Sequence, residues 1–275
     1  MLLLLGGLFT FLFSTEGYMD LSPNIKKSYS ADYHAREFVI LDNNNVPVKI
    51  TPHTEVNKQH KIKVLNNLIE IKTLSSCRNC AIEGRDEHDQ DKTYHGMAQH
   101  MALQASPLRK LNEENLAGLT IEVTGSDTQD GVYVLLEDVP QYPHIKKGGK
   151  SYRLKLRRKQ RTLPFSLELI DFKRDTHPGT TMAKSYESRV RIHDKGAMWE
   201  AVIKMNEPLR YRGYTFFQSS FIETPDGDIS VLAVVWNAGR IFPYISSLAM
   251  CLGMIIHLII RRRKMTITQR GAHDN

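Results

Sequence analysis

The chain has 275 residues, 41% hydrophobic and 24% charged, enough to bury a real core, and its 3 cysteines exclude a small scaffold that depends on disulfides. A formal charge of +7 would point a soluble protein toward nucleic acid. An apolar segment near each end argues otherwise: it puts most of that charge outside a membrane, where membrane lipids and acidic ligands are the expected partners and nucleic acid is not.

Residues 1–13 open the chain with an apolar stretch, Leu2 to Phe13, that has neither a positive leading region nor a small-residue cleavage pattern before Ser14. It is too short to cross a bilayer alone. We read it as the outer part of a transmembrane helix, with an uncleaved anchor as the alternative. Residues 14–145 carry short apolar runs broken by turn residues, a β-rich pattern. Expected strands are Phe38 to Leu41, Val46 to Ile50, Ile62 to Leu74, Leu119 to Val123 and Val132 to Leu136, the last two joined by a turn through Gly125 and Gly131. Ser106-Pro107 with Leu108, Leu111 and Leu116 predicts a short capped helix. The polar stretch from Gly84 to His100 predicts a mobile loop or weak helix.

In residues 146–240, Tyr152, Leu154 and Leu156 alternate with Arg153, Lys155 and Arg157, and Phe165, Leu167 and Leu169 alternate again after Pro164. Two hairpins follow: Tyr186 to Ile192 with Trp199 to Met205 about Asp194-Lys195-Gly196, and Tyr214 to Phe221 with Ile229 to Val235 about Pro225-Asp226-Gly227-Asp228. The predicted fold class is mainly β, an antiparallel sandwich-like extracytoplasmic domain whose last strand feeds a C-terminal transmembrane helix. That helix, residues 241–260, is apolar from Ile241 to Ile260, about 30 Å at about 1.5 Å per residue, the thickness of a bilayer's hydrocarbon core. Arg261, Arg262, Arg263 and Lys264 then hold the tail, residues 261–275, on the cytoplasmic side.

Few motifs carry chemistry. His257 sits in the apolar segment on a face shared with Ser246, Met250 and Gly253, a small and polar stripe of the kind that packs on other helices. It reads as a haem ligand or as an interhelical hydrogen bond. Cys77-Arg78-Asn79-Cys80 is followed by Ala81, so it is not a haem-attachment sequence; a local disulfide is preferred over a redox pair, which would need a thioredoxin-like reductant. His88, His95 and His100 with Met97 and Met101 offer donor atoms, but the acids among them favour a solvated loop and no metal site is assigned. From Lys146 to Arg161 nine residues are basic and none acidic, a solvated strand face or a surface for anionic lipid or haem propionates. No phosphate loop, HExxH or catalytic triad is present, so no catalytic residue is assigned.

Several ordered motifs together resemble the ResB (CcsB) family of system II cytochrome c biogenesis proteins. They are Leu163-Pro164-Phe165-Ser166-Leu167 through Asp171-Phe172, His177-Pro178-Gly179-Thr180, Lys184-Ser185-Tyr186 with Ser188, Met205-Asn206 with Pro208-Leu209, Tyr211 with Gly213-Tyr214, and Phe217-Gln218-Ser219-Ser220. The ending, Gly239 then Pro243-Tyr244 into a helix with Gly253 and His257, is similar as well, and Glu16-Gly17-Tyr18-Met19 matches a segment that follows an earlier family helix. The resemblance implies a bacterial inner-membrane protein with its bulk in the periplasm. It would work with a CcsA-type membrane partner to move haem outward for attachment to apocytochrome c, with haem a transient, shared cofactor at His257 and thioether formation belonging to the complex. Pro178, Gly179, Thr180, Met205, Asn206, Gln218, Ser219, Ser220, Gly239, Pro243 and Tyr244 are then fold-defining or partner-facing. The alternatives are a tethered β-domain with a scaffold role and no haem contact, and a thiol-redox protein using Cys77 and Cys80.

Overall fold

The computed structural model describes residues 2–58, 61–65, 68–85, 93–110, 114–137, 139, 142–176, 178–179, 183–225 and 227–271. The elements begin with α1 (Leu2–Leu12), β1 (Ser14–Leu21), β2 (Lys26–Leu41), β3 (Pro47–Pro52), α2 (His53–Lys58), β4 (Lys61–Val64) and β5 (Ile69–Cys77). There follow β6 (Cys80–Gly84), β7 (Tyr94–His95), β8 (Met101–Ala105), β9 (Gly118–Thr124), β10 (Gly131–Leu136) and β11 (His144–Lys147). The rest are β12 (Lys150–Thr176), β13 (Ala183–Asp194), β14 (Ala197–Lys204), β15 (Leu209–Tyr211), β16 (Tyr214–Ile222), β17 (Ile229–Asn237) and α3 (Phe242–Gly271). The fold is mainly antiparallel β with an apolar C-terminal helix. Two compact units divide it: residues 1–28 with 163–275, and residues 29–162 inserted between them. The sequence had suggested a boundary at 145/146 instead.

In the inserted unit, β4, β5, β9 and β10 form an antiparallel sheet whose inner face combines with Phe38, Ile40, Ile145, Tyr152, Leu154 and Leu156 in one core. The run read as one strand from Ile62 to Leu74 is two, β4 and β5, because Leu65 turns the chain at φ 51° and its carbonyl accepts from Leu68 N. No helix forms over residues 106–110; Ser106 N and the Pro107 carbonyl bond to Asn79 instead, so the proline marks an extended strap. The Gly84–His100 stretch is more ordered than expected where it is described. Tyr94 and His95 pair with Val132 and Tyr133, and a 3-10 turn covers Gly96–Gln99.

One 27-residue strand, β12, replaces the two strands separated at Pro164; residues 150–162 belong to the inserted unit and 163–176 to the other. Pro164 precedes the first β13 partner, Ser166, so its missing N–H breaks none of that ladder. The buried positions of β12 change parity on the way: Tyr152, Leu154 and Leu156 in its first half, then Leu163, Phe165, Leu167 and Leu169. Both predicted hairpins form, β13 with β14 and β16 with β17. A third, β15 with β16, turns on Arg212 and Gly213, which like Lys195 and Gly196 have positive φ at both turn positions, the mirror-image turn that suits strand twist. β1 pairs with β17 from Ser14↔Asn237 to Leu21↔Ser230. Phe165 sits edge-on to Tyr211, Tyr214 and Phe216 at 4.9, 5.8 and 6.0 Å, and Trp199 of β14 meets Tyr211 of β15 at 5.1 Å, so the sheet curls around this aromatic group.

Candidate functional site

The β1–β17 ladder decides where the helices start. Ser14 follows α1 and Asn237 precedes α3, and the two are register partners, so both helices leave one end of the same strand pair. They then pack closely through glycine. A Cβ at Gly239 would lie 2.7 Å from the Phe9 carbonyl oxygen, and one at Gly6 would lie 2.8 Å from Ser246 Oγ and 3.4 Å from Pro243 Cα. Thr10 Oγ1 donates toward the carbonyls of Gly6 (2.9 Å) and Gly239 (3.2 Å), and Phe9 stacks against Phe242 at 5.1 Å. Pro243 occupies the first turn of α3, where a missing N–H is harmless, and its carbonyl accepts from Ser247. Tyr244 points outward, 71% exposed.

Of the stripe on α3, only Ser246 is buried, against α1; Met250, Gly253 and His257 are exposed. His257 lies eleven residues beyond Ser246, about 17 Å along the helix. A Cβ at Gly253, one turn before it, would meet nothing within 4 Å, so the imidazole stands beside open space.

Gln218 is buried in the sheet, while Ser219 and Ser220 beside it are exposed. The register of β16 on β17 slips between Gln218↔Leu232 and Ser220↔Val231, leaving Ser219 as the extra residue of a β-bulge. The bulge turns Gln218 inward, where its Oε1 accepts from Ser188 Oγ (2.6 Å) and its Nε2 donates to the Ser220 carbonyl (3.2 Å); Ser188 and Ser230 hydroxyls lie 2.7 Å apart. Ser188 and Ser230 are fully buried, so this closed network fixes the pairing of β13, β16 and β17. Gly179 adopts φ 76° in an exposed turn beside Pro178, while Thr180 lies outside the described residues. Met205 and Asn206 line a shallow cavity of about 280 Å³ with Lys173, Lys184 and Tyr186.

Cys77 and Cys80 are joined by a disulfide with Cα atoms 5.5 Å apart, buried with Ala98, Val134 and Leu136. Gly118 leaves it room, since a Cβ there would come 2.7 Å from Cys80 Sγ. His95 is structural: Nε2 lies 3.1 Å from the Asp130 carbonyl and the ring stacks on Tyr133. His88 lies outside the described residues, and His100 and Met101 are exposed.

The basic run is far less free than its composition suggests. Arg157, Arg158 and Arg161 pair with Glu37, Glu137 and Asp32 at 2.9, 2.5 and 2.7 Å, and Lys155 lies over the Tyr142 ring. Glu137 also takes Arg36 at 2.7 Å. The acids that neutralise the strand come from β2 and from just past β10, too far away in sequence for a local reading to find. Burial works against the Asp32 charge, but the backbone N–H groups of Ala35 and His34 and the Arg161 guanidinium together hold its carboxyl below the usual range. At the tip of the β13–β14 hairpin, the Tyr211 hydroxyl and Arg212 lower the Asp194 carboxyl in the same way.

Comparison with known proteins rests on this same β region. Residues 143–231, from before β11 into β17, match the ResB-like family. A 99-residue stretch is 32% identical to Protein NrfI of Wolinella succinogenes; it makes up 35% of this chain and 11% of NrfI, so the chain spans a small part of that relative's length. The family match contains the Gln218 bulge and the Pro178 and Met205 turns, and it ends before Gly239, Pro243, Tyr244 and His257. The strands that build the curled sheet and its buried polar network thus form a ResB-like region within this chain.

Proposed function

We propose that the chain is a membrane-anchored subunit of a cytochrome c maturation apparatus, presenting haem and apocytochrome c together with a CcsA-type partner. The observation that carries the reading is the mounting of a ResB-like sheet directly on an apolar helix. The Phe242–Arg261 segment is 20 residues long and only 6% buried, unlike the core helix of a soluble protein. α1 runs beside its first turns and adds exposed Leu4, Leu8, Phe9 and Phe11 to the same apolar girdle. With Arg261 to Lys264 held at the cytoplasmic face of a bacterial inner membrane, both β units lie in the periplasm.

In this reading haem is cargo. His257 would offer an imidazole nitrogen to its iron, a partner side chain would supply a further ligand, and Gly253 would leave the helix face open beside it. The sheet docks the apocytochrome, and thioether formation belongs to the assembled complex. Purified with a CcsA-type partner, the protein should show a Soret band that disappears in His257→Ala and returns with added imidazole. A Soret band indifferent to that substitution removes His257 from the pathway. A colourless complex favours the scaffold reading. The burial of Cys77 and Cys80 argues against a thiol-exchange role, because attack needs access to a sulfur.

A further inference from the structure

We propose that the inserted unit carries a binding site for a small molecule bearing phosphate or carboxylate groups, in the cavity where β2, the start of α2, the disulfide loop and β12 meet. The cavity holds about 430 Å³, within the range of small-molecule sites. Its wall contains Arg36, Arg78, Lys159, His34 and His53, and no acidic side chain among the described residues. Arg78 and Lys159 are exposed and have no carboxylate partner among the described residues, so their donors are free for a ligand. Arg36 differs: Glu137 and the carbonyls of His34 and Asn115 hold it rigidly, so it acts as a fixed positive charge behind the wall.

Three features show a built site instead of a chance dent. Arg78 is the second residue of the Cys77–Cys80 loop, which the disulfide closes and the Asn79 side chain ties to the Pro107 carbonyl (2.7 Å) and Leu116 N (3.3 Å). Its backbone is therefore fixed at the rim. His53 is only 6% exposed, yet its Nε2 has no hydrogen-bond partner, a cost that folds normally avoid. Burial is the first cause of the lowered His53 pKa; the positive field of Arg36 and Arg78 lowers it further, and Glu137 opposes that field in part. Guanidinium and ammonium donors around such a field suit the oxygens of phosphate or carboxylate.

The test uses the full chain in detergent, titrated calorimetrically with inorganic phosphate and with citrate at constant ionic strength in chloride. Saturable 1:1 binding of either is expected, and the stronger of the two identifies the oxyanion class. Arg78→Ala and Lys159→Ala, both at exposed positions, should each weaken it about tenfold. The His53 ring resonances, assigned through His53→Gln, should titrate at higher pH with the anion bound. Absence of binding by both anions overturns the proposal, and so does binding that survives Arg78→Ala and Lys159→Ala unchanged.

Discussion

Glu137 is 1% exposed and takes a guanidinium on each carboxylate oxygen, Arg36 on Oε2 and Arg158 on Oε1. Removing its charge leaves two nearly buried cations without their shared anion, so Glu137→Gln should cost about 3–5 kcal/mol in denaturant unfolding. The Arg174–Glu223 pair on the surface is the control, and Glu223→Gln should leave the midpoint unchanged. His53 contributes the pH dependence of the inserted unit just below neutrality. Its native pKa lies below the ordinary 6.5, so the unfolded chain binds the proton first as pH falls. Stability from this residue is therefore complete above pH 6.5 and is lost on acidification toward the depressed native value. His53→Gln should flatten the unfolding midpoint across that window. Neither residue was visible in the sequence as special, because a lone Glu or His gains its meaning from arginines brought in by other strands. Gln218 was visible only through the family resemblance, and its physical role appears once the bulge at Ser219 turns it inward.

Elements were legible where local chemistry decides them. The Lys195-Gly196 turn and the hairpin of β16 with β17 were correctly placed because turn residues and alternation agree. Sequence reasoning failed where tertiary pairing overrides a local signal: Pro164 reads as a break but sits outside the β13 ladder, and Ser106-Pro107 reads as a helix start but is held by Asn79. β1 was missed because Glu16, Gly17 and Asp20 dilute its alternation, and only its partner β17 makes it a strand. The glycine contact between α1 and α3 gives a direct check. In a Cys251→Ser background, Gly6→Cys with Ser246→Cys should form an intrachain disulfide on mild oxidation, read as a mobility shift lost on reduction. Failure to cross-link would separate the two helices.

At the scale of the whole molecule, the chain divides into two units whose segments are interleaved in sequence. The C-terminal ResB-like strands stood out, but the short Glu16-Gly17-Tyr18-Met19 match did not show that β1 pairs with them, since that assignment rests on a ladder between residues 223 positions apart. That ladder has a temporal consequence. A ribosome must deliver nearly the full polypeptide before Ser14 can find Asn237, so the first strand waits, edge uncovered, while the inserted unit has its own core to close. Pulse-labelled amide exchange during refolding should show β9 and β10 acquiring protection early and β1 gaining it only together with β17. Protection of β1 ahead of β17 would contradict that order. The polypeptide thus spends its nascent life with an open strand edge, the state in which a chaperone would be most needed.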